Sequence, residues 1–555
     1  MEDNILLEKI KQAQNDIEKM DIIRLIQDEE IKETAIYLLE NDNNKLLIAE
    51  TLKKEAAKVR LYSRLIRKDE MIDSTIEEVR KLKSQNFAIL VLKKMSDSNY
   101  IKKANAIADL FITSRDADDD SREKVSDALK RIYRKIHMKN PDYTFLDFLN
   151  ILENDYSIAS VIANVSNSPN LGEFSTKNPT EGLPSSIEEK KSLLIAIRDA
   201  NVREQIGLVY SSRHELINKF DSNNVPLINL PEDMTIGVEL EAEGEIASVL
   251  NGLRICDKWQ AKGDASLEKG IEVVSPILHD SLEDMTDLSM VCQIMEQCEL
   301  NTSDRCGGHI HIGAKYLDTK EAFGNFLILW LANEESIYRM CNASGESFRE
   351  GTAHFARPIS FLYENGWNNI FSNISNAKTR DELVSIIKTF QKGHYNGLNT
   401  DNINSKETNT IEFRISNGTL NFDEIQNNIR LYGRLMQRSK EVSLLQAKLE
   451  FGQEVSEIEQ KKINDFENLC NQQYKTEEKG QMLIDFLFEE DEKEIYISRY
   501  NSSRENSEPL KKMFSKDAYK KLYTALKPED KNFLAVISSL KNSKTNEKEA
   551  EEIEL

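Results

Sequence analysis

Cysteine is scarce in this chain of 555 residues. The six, Cys256, Cys292, Cys298, Cys306, Cys341 and Cys470, form no Cys-x-x-Cys pair and no dense framework. That pattern excludes a disulfide-stapled scaffold, argues against structural zinc and leads us to expect a reducing compartment. Long apolar runs are missing too. The longest, FLILWLA from Phe326, is far short of the roughly 20 residues that span a bilayer. The opening MEDNILLEKIKQAQNDIEKM lacks the basic end and apolar stretch of a signal peptide. A cytoplasmic protein without a membrane partner is expected. Positive charge is also in deficit, with 73 basic against 95 acidic residues and a net charge of -22. This disfavours nucleic acid and anionic membranes as partners and favours cationic ligands.

What is present divides into regions. Residues 1–165 carry apolar positions at three- and four-residue spacing with few glycines or prolines, as in ETAIYLLENDNNKLLIAETLKKEA and NFAILVLKKMSDSNYIKKANAIADLFIT. The spacing predicts helices, arranged either as a stacked repeat or as an irregular bundle. Residues 166–186 are rich in Asn, Ser, Pro and Gly and read as a linker. From 187 to 437 glycine becomes more frequent and strand-like alternation appears in MTIGVELEAE, GIEVVSPIL, GGHIHIGA and NTIEFRISNG, with a helix near EAFGNFLILWLANEESIYRM. Without a regular βαβ beat, an α+β domain with a largely antiparallel sheet is expected. Helices return over 438–541, and 542–555 reads as a disordered acidic tail.

The strand Thr235 to Glu245, TIGVELEAEGE, has glutamate at every second position. In a strand these carboxylates share a face, with neighbours about 7 Å apart. Each pair would repel by roughly 2 kcal/mol at an effective dielectric near 20. Either water screens that face or a divalent cation is bound there. Three strands pair polar residues two positions apart: Glu239 with Glu241, His309 with His311, and Glu412 with Arg414. A fourth segment, GDASLEKGIEVVSP, sets Asp264 and Glu272 eight positions apart across an expected hairpin turn. Five carboxylates and two imidazoles are available to converge, an inventory suited to Mg²⁺ or Mn²⁺. Glycines flank the histidine pair in CGGHIHIG and permit close backbone approach to a ligand such as a phosphate chain.

The ordered set GVELEAE, GDASLEKGIEVVSPI, CGGHIHIG and TIEFRISNGTL resembles the amidoligases of the glutamine synthetase and glutamate–cysteine ligase superfamily, over about Met234 to Gln437. The resemblance implies ATP-dependent joining of a carboxylate to an amine, on a curved, largely antiparallel sheet of glutamine-synthetase-like type whose concave face holds two metal ions and the nucleotide. It also implies that Glu239, His309 and Glu412 hold a first Mg²⁺ or Mn²⁺, and that Glu241, Asp264 and Glu272 hold a second. His311 would approach the ATP phosphates, and Arg414 the transferred phosphoryl group or the acyl phosphate. Arg414, Glu412 and Glu241 are then the expected catalytic residues, and His311, Arg414 and Arg357 the nucleotide-binding ones. Glu243 and Glu245 match no motif position. Arg349, His354 and Arg357, in SGESFREGTAHFARPIS, are substrate-loop candidates, and loop ion pairs explain them equally well. Asn399 matches the stretch before the Glu-x-Arg strand, and His394 reads as structural. Asn421 stands where the family commonly has aspartate.

No phosphate-binding Gly-Lys-Ser/Thr loop occurs, consistent with nucleotide held mainly through metal. The partners expected are an amine and a carboxylate, with a peptide or protein recruited by the helices before Val165; the sequence does not give the oligomeric state. Two other classes stay open: a metal-dependent hydrolase using the same acidic face, and a binding scaffold with an inactive ligase-like domain.

Overall fold

The structure, a computed structural model, describes residues 2–113, 119–165, 183–220, 225–264, 266–349, 351–359, 376–390, 395–406, 408–470, 476–506 and 510. Most of the expected linker, His394, the helix expected around 518–541 and the acidic tail lie outside the described residues. Two compact units divide the chain. The first comprises Met1–Ser212, Gly244–Ile255 and Ala261–Ile271, and the second Arg213–Glu243, Cys256–Gln260 and Glu272–Leu555.

The first unit is built from short helices in succession, beginning Glu2–Gln12, Asp16–Leu25, Glu29–Ile36, Asp42–Ile48 and Glu55–Leu65. Each has an acid at its start, at positions 3, 16, 29, 42 and 55, a period of 13 residues. The free N–H groups at a helix start attract such acids. Here the acids also reach onward. Asp3 accepts the backbone N–H of Asp28 at 2.8 Å, Asp16 those of Glu40 at 2.9 Å and Asn41 at 2.8 Å, and Glu29 that of Lys53 at 2.9 Å. Glu55 accepts from Lys83 at 2.5 Å and Ser84 at 3.3 Å, while Asp42 pairs with Lys68. Each acid thus ties its helix to the entry of the second helix on. The ladder runs along a succession of helices, beneath which Ile23, Ile36, Ile48, Leu61, Ile66 and Val91 are buried.

The seven-stranded sheet has the order β2-β3-β4-β1-β5-β7-β6. The strands are β1 (Ile236–Glu243), β2 (Arg254–Ile255), β3 (Trp259–Asp264), β4 (Gly270–Val274), β5 (Gly307–Gly313), β6 (Leu398–Asn399) and β7 (Thr410–Asn417). The four longer expected strands appear as β1, β4, β5 and β7. The pairings β1 with β5, β5 with β7, and β7 with β6 are antiparallel. Val238 and Leu240 of β1, Ile310 and Ile312 of β5, and Ile411, Phe413 and Ile415 of β7 are buried. Against the helix Phe422–Glu450, the Phe413 ring stacks on Tyr432 with centroids 4.3 Å apart. Phe326 and Trp330 of the helix Lys320–Met340 close on the same Phe413 ring at 6.2 and 5.6 Å. This helix is buried along almost its whole length, which explains its apolar run. It kinks at Asn333, whose amide donates to the Leu329 carbonyl at 2.9 Å. Asn421 caps the Phe422–Glu450 helix by accepting the Glu424 N–H at 3.2 Å, so asparagine here has a structural role that aspartate would also fill. Among the described residues no helix is long and apolar enough to cross a membrane.

Candidate metal-binding site

Because side chains alternate along a strand, burying the aliphatic set of β1, β5 and β7 turns Glu239, His309, His311 and Glu412 away from the helices. Register then brings them together. Glu239 lies opposite His309 across β1 and β5, His311 opposite Glu412 across β5 and β7, and Asn399 opposite Glu412 across β6 and β7. Glu239 Oε2 is 3.0 Å from His309 Nδ1, and its Oε1 is 3.1 Å from His311 Nε2. One carboxylate therefore faces two imidazoles, one through each oxygen.

The remaining contacts orient this core. His311 Nδ1 lies 3.1 Å from Thr410 Oγ1, a contact that orients the ring with its Nε2 edge toward Glu239. Glu412 accepts the Asn399 amide at 2.7 Å on one oxygen and pairs with Arg414 through the other. Glu241 accepts the Gly307 N–H at 2.6 Å and stands 3.5 Å from His309 Nδ1. The register between β5 and β7 shifts after Gly308: Gly308 faces Ser416, whereas Ile310 faces Phe413. Two residues of β7, Arg414 and Ile415, thus oppose His309 alone, a β-bulge that bends the strand beside the cluster.

Gly307 is required by packing. A Cβ there would lie 2.3 Å from an Arg349 guanidinium nitrogen and 2.7 Å from His309 Nε2. Arg349 and His309 thus occupy the space where a side chain at this position would lie. Arg349 is buried, with its guanidinium donating to the Arg414 carbonyl at 3.2 Å and its own N–H to Asn417 Oδ1 at 3.1 Å. Burial lowers its pKa.

Electrostatics of the cluster are dominated by mutual compensation. Burial alone would raise the Glu239 carboxyl, but hydrogen bonding and charge from the His309 and His311 rings outweigh it and hold the group far below the usual carboxylate range. Burial likewise opposes ionisation of Glu412, and Arg414 with the two histidines brings it below its ordinary value. His311 is pushed down by burial and up more strongly by Glu239 and Glu412. The outer glutamates of the alternating run have separate partners: Glu243 pairs with Arg305 at 3.0 Å and Glu245 with Lys269.

Two sets of side chains bring donor atoms within 4.8 Å of one another: Glu239, His311 and Glu412, and Glu239, Glu272 and His309. Glu239 belongs to both. Carboxylate oxygens with one imidazole suit a hard divalent cation, and the buried His309 Nε2 has no hydrogen-bond partner among the described residues. The donor set therefore fits metal. Glu241 and Asp264 belong to neither set; Asp264, in the first unit, accepts the Ser266 N–H at 2.7 Å.

His354 is exposed and packs edge-on to Phe355 and stacked on Tyr395. Arg357 has an exposed side chain, while its backbone bonds with Tyr395 and Gly397. Thr410 was absent from the expected site. Its signal lay in TIEFR, where Thr410, Glu412 and Arg414 keep the two-residue period.

Residues 233–436, the segment holding β1, β5, β6, β7 and every member of both donor sets, match the sequence model of a family described as "Putative amidoligase enzyme". This segment belongs to that amidoligase family. No curated protein and no solved structure matches the chain.

Proposed function

We propose that the protein is an ATP- and Mg²⁺-dependent carboxylate–amine ligase that forms an amide or isopeptide bond through an acyl phosphate. The observation that carries this reading is the position of Glu239, shared by two donor sets within the amidoligase segment. Glu239, His311 and Glu412 would hold one divalent ion, and Glu239, Glu272 and His309 the other. When bound, such ions neutralise the phosphates of ATP, so that a substrate carboxylate can accept the γ-phosphoryl group.

The chain's own groups do the positioning. Thr410 fixes the His311 ring, Asn399 and Arg414 fix both oxygens of Glu412, and the Gly307 N–H fixes Glu241. Arg414, held at the bulge, would steady the negative charge that develops on the leaving phosphate as the amine nitrogen bonds to the acyl carbon. Glu241, outside both donor sets and 3.5 Å from His309 Nδ1, would take the proton from the ammonium before its nitrogen attacks. The carbon–oxygen bond then breaks, releasing inorganic phosphate.

The test is ADP formation in the presence of Mg²⁺ and a cell extract, with mass spectrometry for products lighter by one water than two components combined. Glu412→Gln should abolish such products. Equal product profiles from both proteins, or phosphate release without any condensed product, would count against ligation and favour the hydrolase reading.

A further inference from the structure

The first unit contains a cleft of about 460 Å³, a size that admits several side chains. Ile107, Ala128 and Ile132 form its apolar floor, and Lys93, Lys103, Arg131, Lys135 and Lys139 supply its charge. One acid, Asp97, lines it as well, and it is already engaged by Lys135 at 2.9 Å and Lys103 at 3.5 Å. Lys93, Arg131 and Lys139 make no ion pair with any described residue. Burial and the neighbouring Arg131 depress the Lys93 pKa, with Asp127 only partly opposing.

Arg131, Lys135 and Lys139 follow one another at four-residue intervals on the helix Asp119–Lys139, where like charges repel. In a chain whose net charge is -22, this run is a local concentration of positive charge that suits an anionic ligand. From Arg131 to Lys139 the cations run about 12 Å along the helix, the reach of three or four extended residues. Nucleic acid would meet the repulsion of the whole acidic chain and has no use for an apolar floor.

We infer that this cleft binds an acidic peptide segment, with carboxylates on Lys93, Arg131 and Lys139 and an apolar side chain against Ile107, Ala128 and Ile132. The binding claim stands without the ligase reading; where both hold, the peptide carries one of the ligase's substrates.

The experiment measures fluorescence anisotropy of a labelled Glu-Glu-Leu-Glu-Glu-Ile-Glu peptide with the full chain at low salt. Two control peptides replace every Glu by Gln, or Leu and Ile by Ser, and a dT oligonucleotide serves as competitor. The acidic, apolar peptide should bind, and each control peptide should bind at least about tenfold more weakly. Arg131→Ser with Lys139→Ser should weaken binding by a similar factor, with thermal melting confirming that the variant is folded. Absence of peptide binding, an unchanged affinity in the variant, or equal binding of the Ser-substituted peptide would overturn the proposal. Tighter binding of the oligonucleotide would do so too and give the cleft to nucleic acid.

Discussion

Replacing Glu239 by Gln removes the carboxylate shared by the two donor sets while keeping its shape and one acceptor oxygen. Its oxygens lie 3.0 and 3.1 Å from the two histidine rings, so a cation in either set would sit within about 4 Å of the lost charge. One unit charge at that distance contributes about 4 kcal/mol at an effective dielectric of 20. Desolvation of a half-buried carboxylate offsets part of this, leaving an expected loss of about two orders of magnitude in affinity for each ion. Thermal unfolding in a Mn²⁺ titration reads the effect. At a hundredfold excess over its dissociation constant, one ion stabilises the folded chain by about 2.7 kcal/mol, which raises the melting temperature by roughly 5 °C for a unit of this size. Glu239→Gln should show almost no shift at the same concentration. A full shift in the variant would refute the reasoning.

Thr410→Val should leave stability within about 1 kcal/mol of the parent, yet lower ATP turnover by 10- to 100-fold by freeing the His311 ring; unchanged turnover would remove Thr410 from its positioning role. Gly307→Ala forces a methyl group onto Arg349 and His309 and should cost about 1–3 kcal/mol in denaturant melts while weakening Mn²⁺ binding. Lys479 is buried with its ammonium donating to the Ala332 carbonyl at 3.0 Å, and burial brings its pKa down to about 8. The protonated form is disfavoured in the folded state, so the penalty is full below pH 8 and fades as pH rises toward the unfolded value of 10.5. Lys479→Met should therefore stabilise the protein by roughly 3 kcal/mol at pH 7 and by much less at pH 10; equal gains at both would point to packing alone.

Local pattern made much of the sheet legible. GVELEAE, HIHIG and TIEFRIS each alternate, and alternation fixes both strand and face, so Glu239, His309, His311 and Glu412 could be named before any partner strand was known. Which of them share an ion depends on register, and register lies between strands. The bulge at Arg414 and Ile415 has no glycine to announce it. The pairing of Glu272 with Glu239 and His309 requires the β4-β1-β5 order, which draws on strands spread over residues 236–313. Asp264 and Glu272 look equivalent in sequence, yet only Glu272 enters a donor set. The 13-residue spacing of Asp3, Asp16, Glu29, Asp42 and Glu55 was legible in principle. Acids are so common in this chain that five at equal spacing do not stand out until their partners, backbone N–H groups for four of them and the Lys68 ammonium for Asp42, are seen. Arg349 lay in a loop without alternation, where charge alone could not separate a buried guanidinium from a surface ion pair.

Anomalous diffraction from crystals soaked in Mn²⁺ tests the bridging role of Glu239 most directly. Two neighbouring peaks are predicted, each coordinated by one Glu239 oxygen, the first with His311 and Glu412 and the second with His309 and Glu272. A protein that binds Mn²⁺ only elsewhere, or at this face without contact to Glu239, would contradict the account.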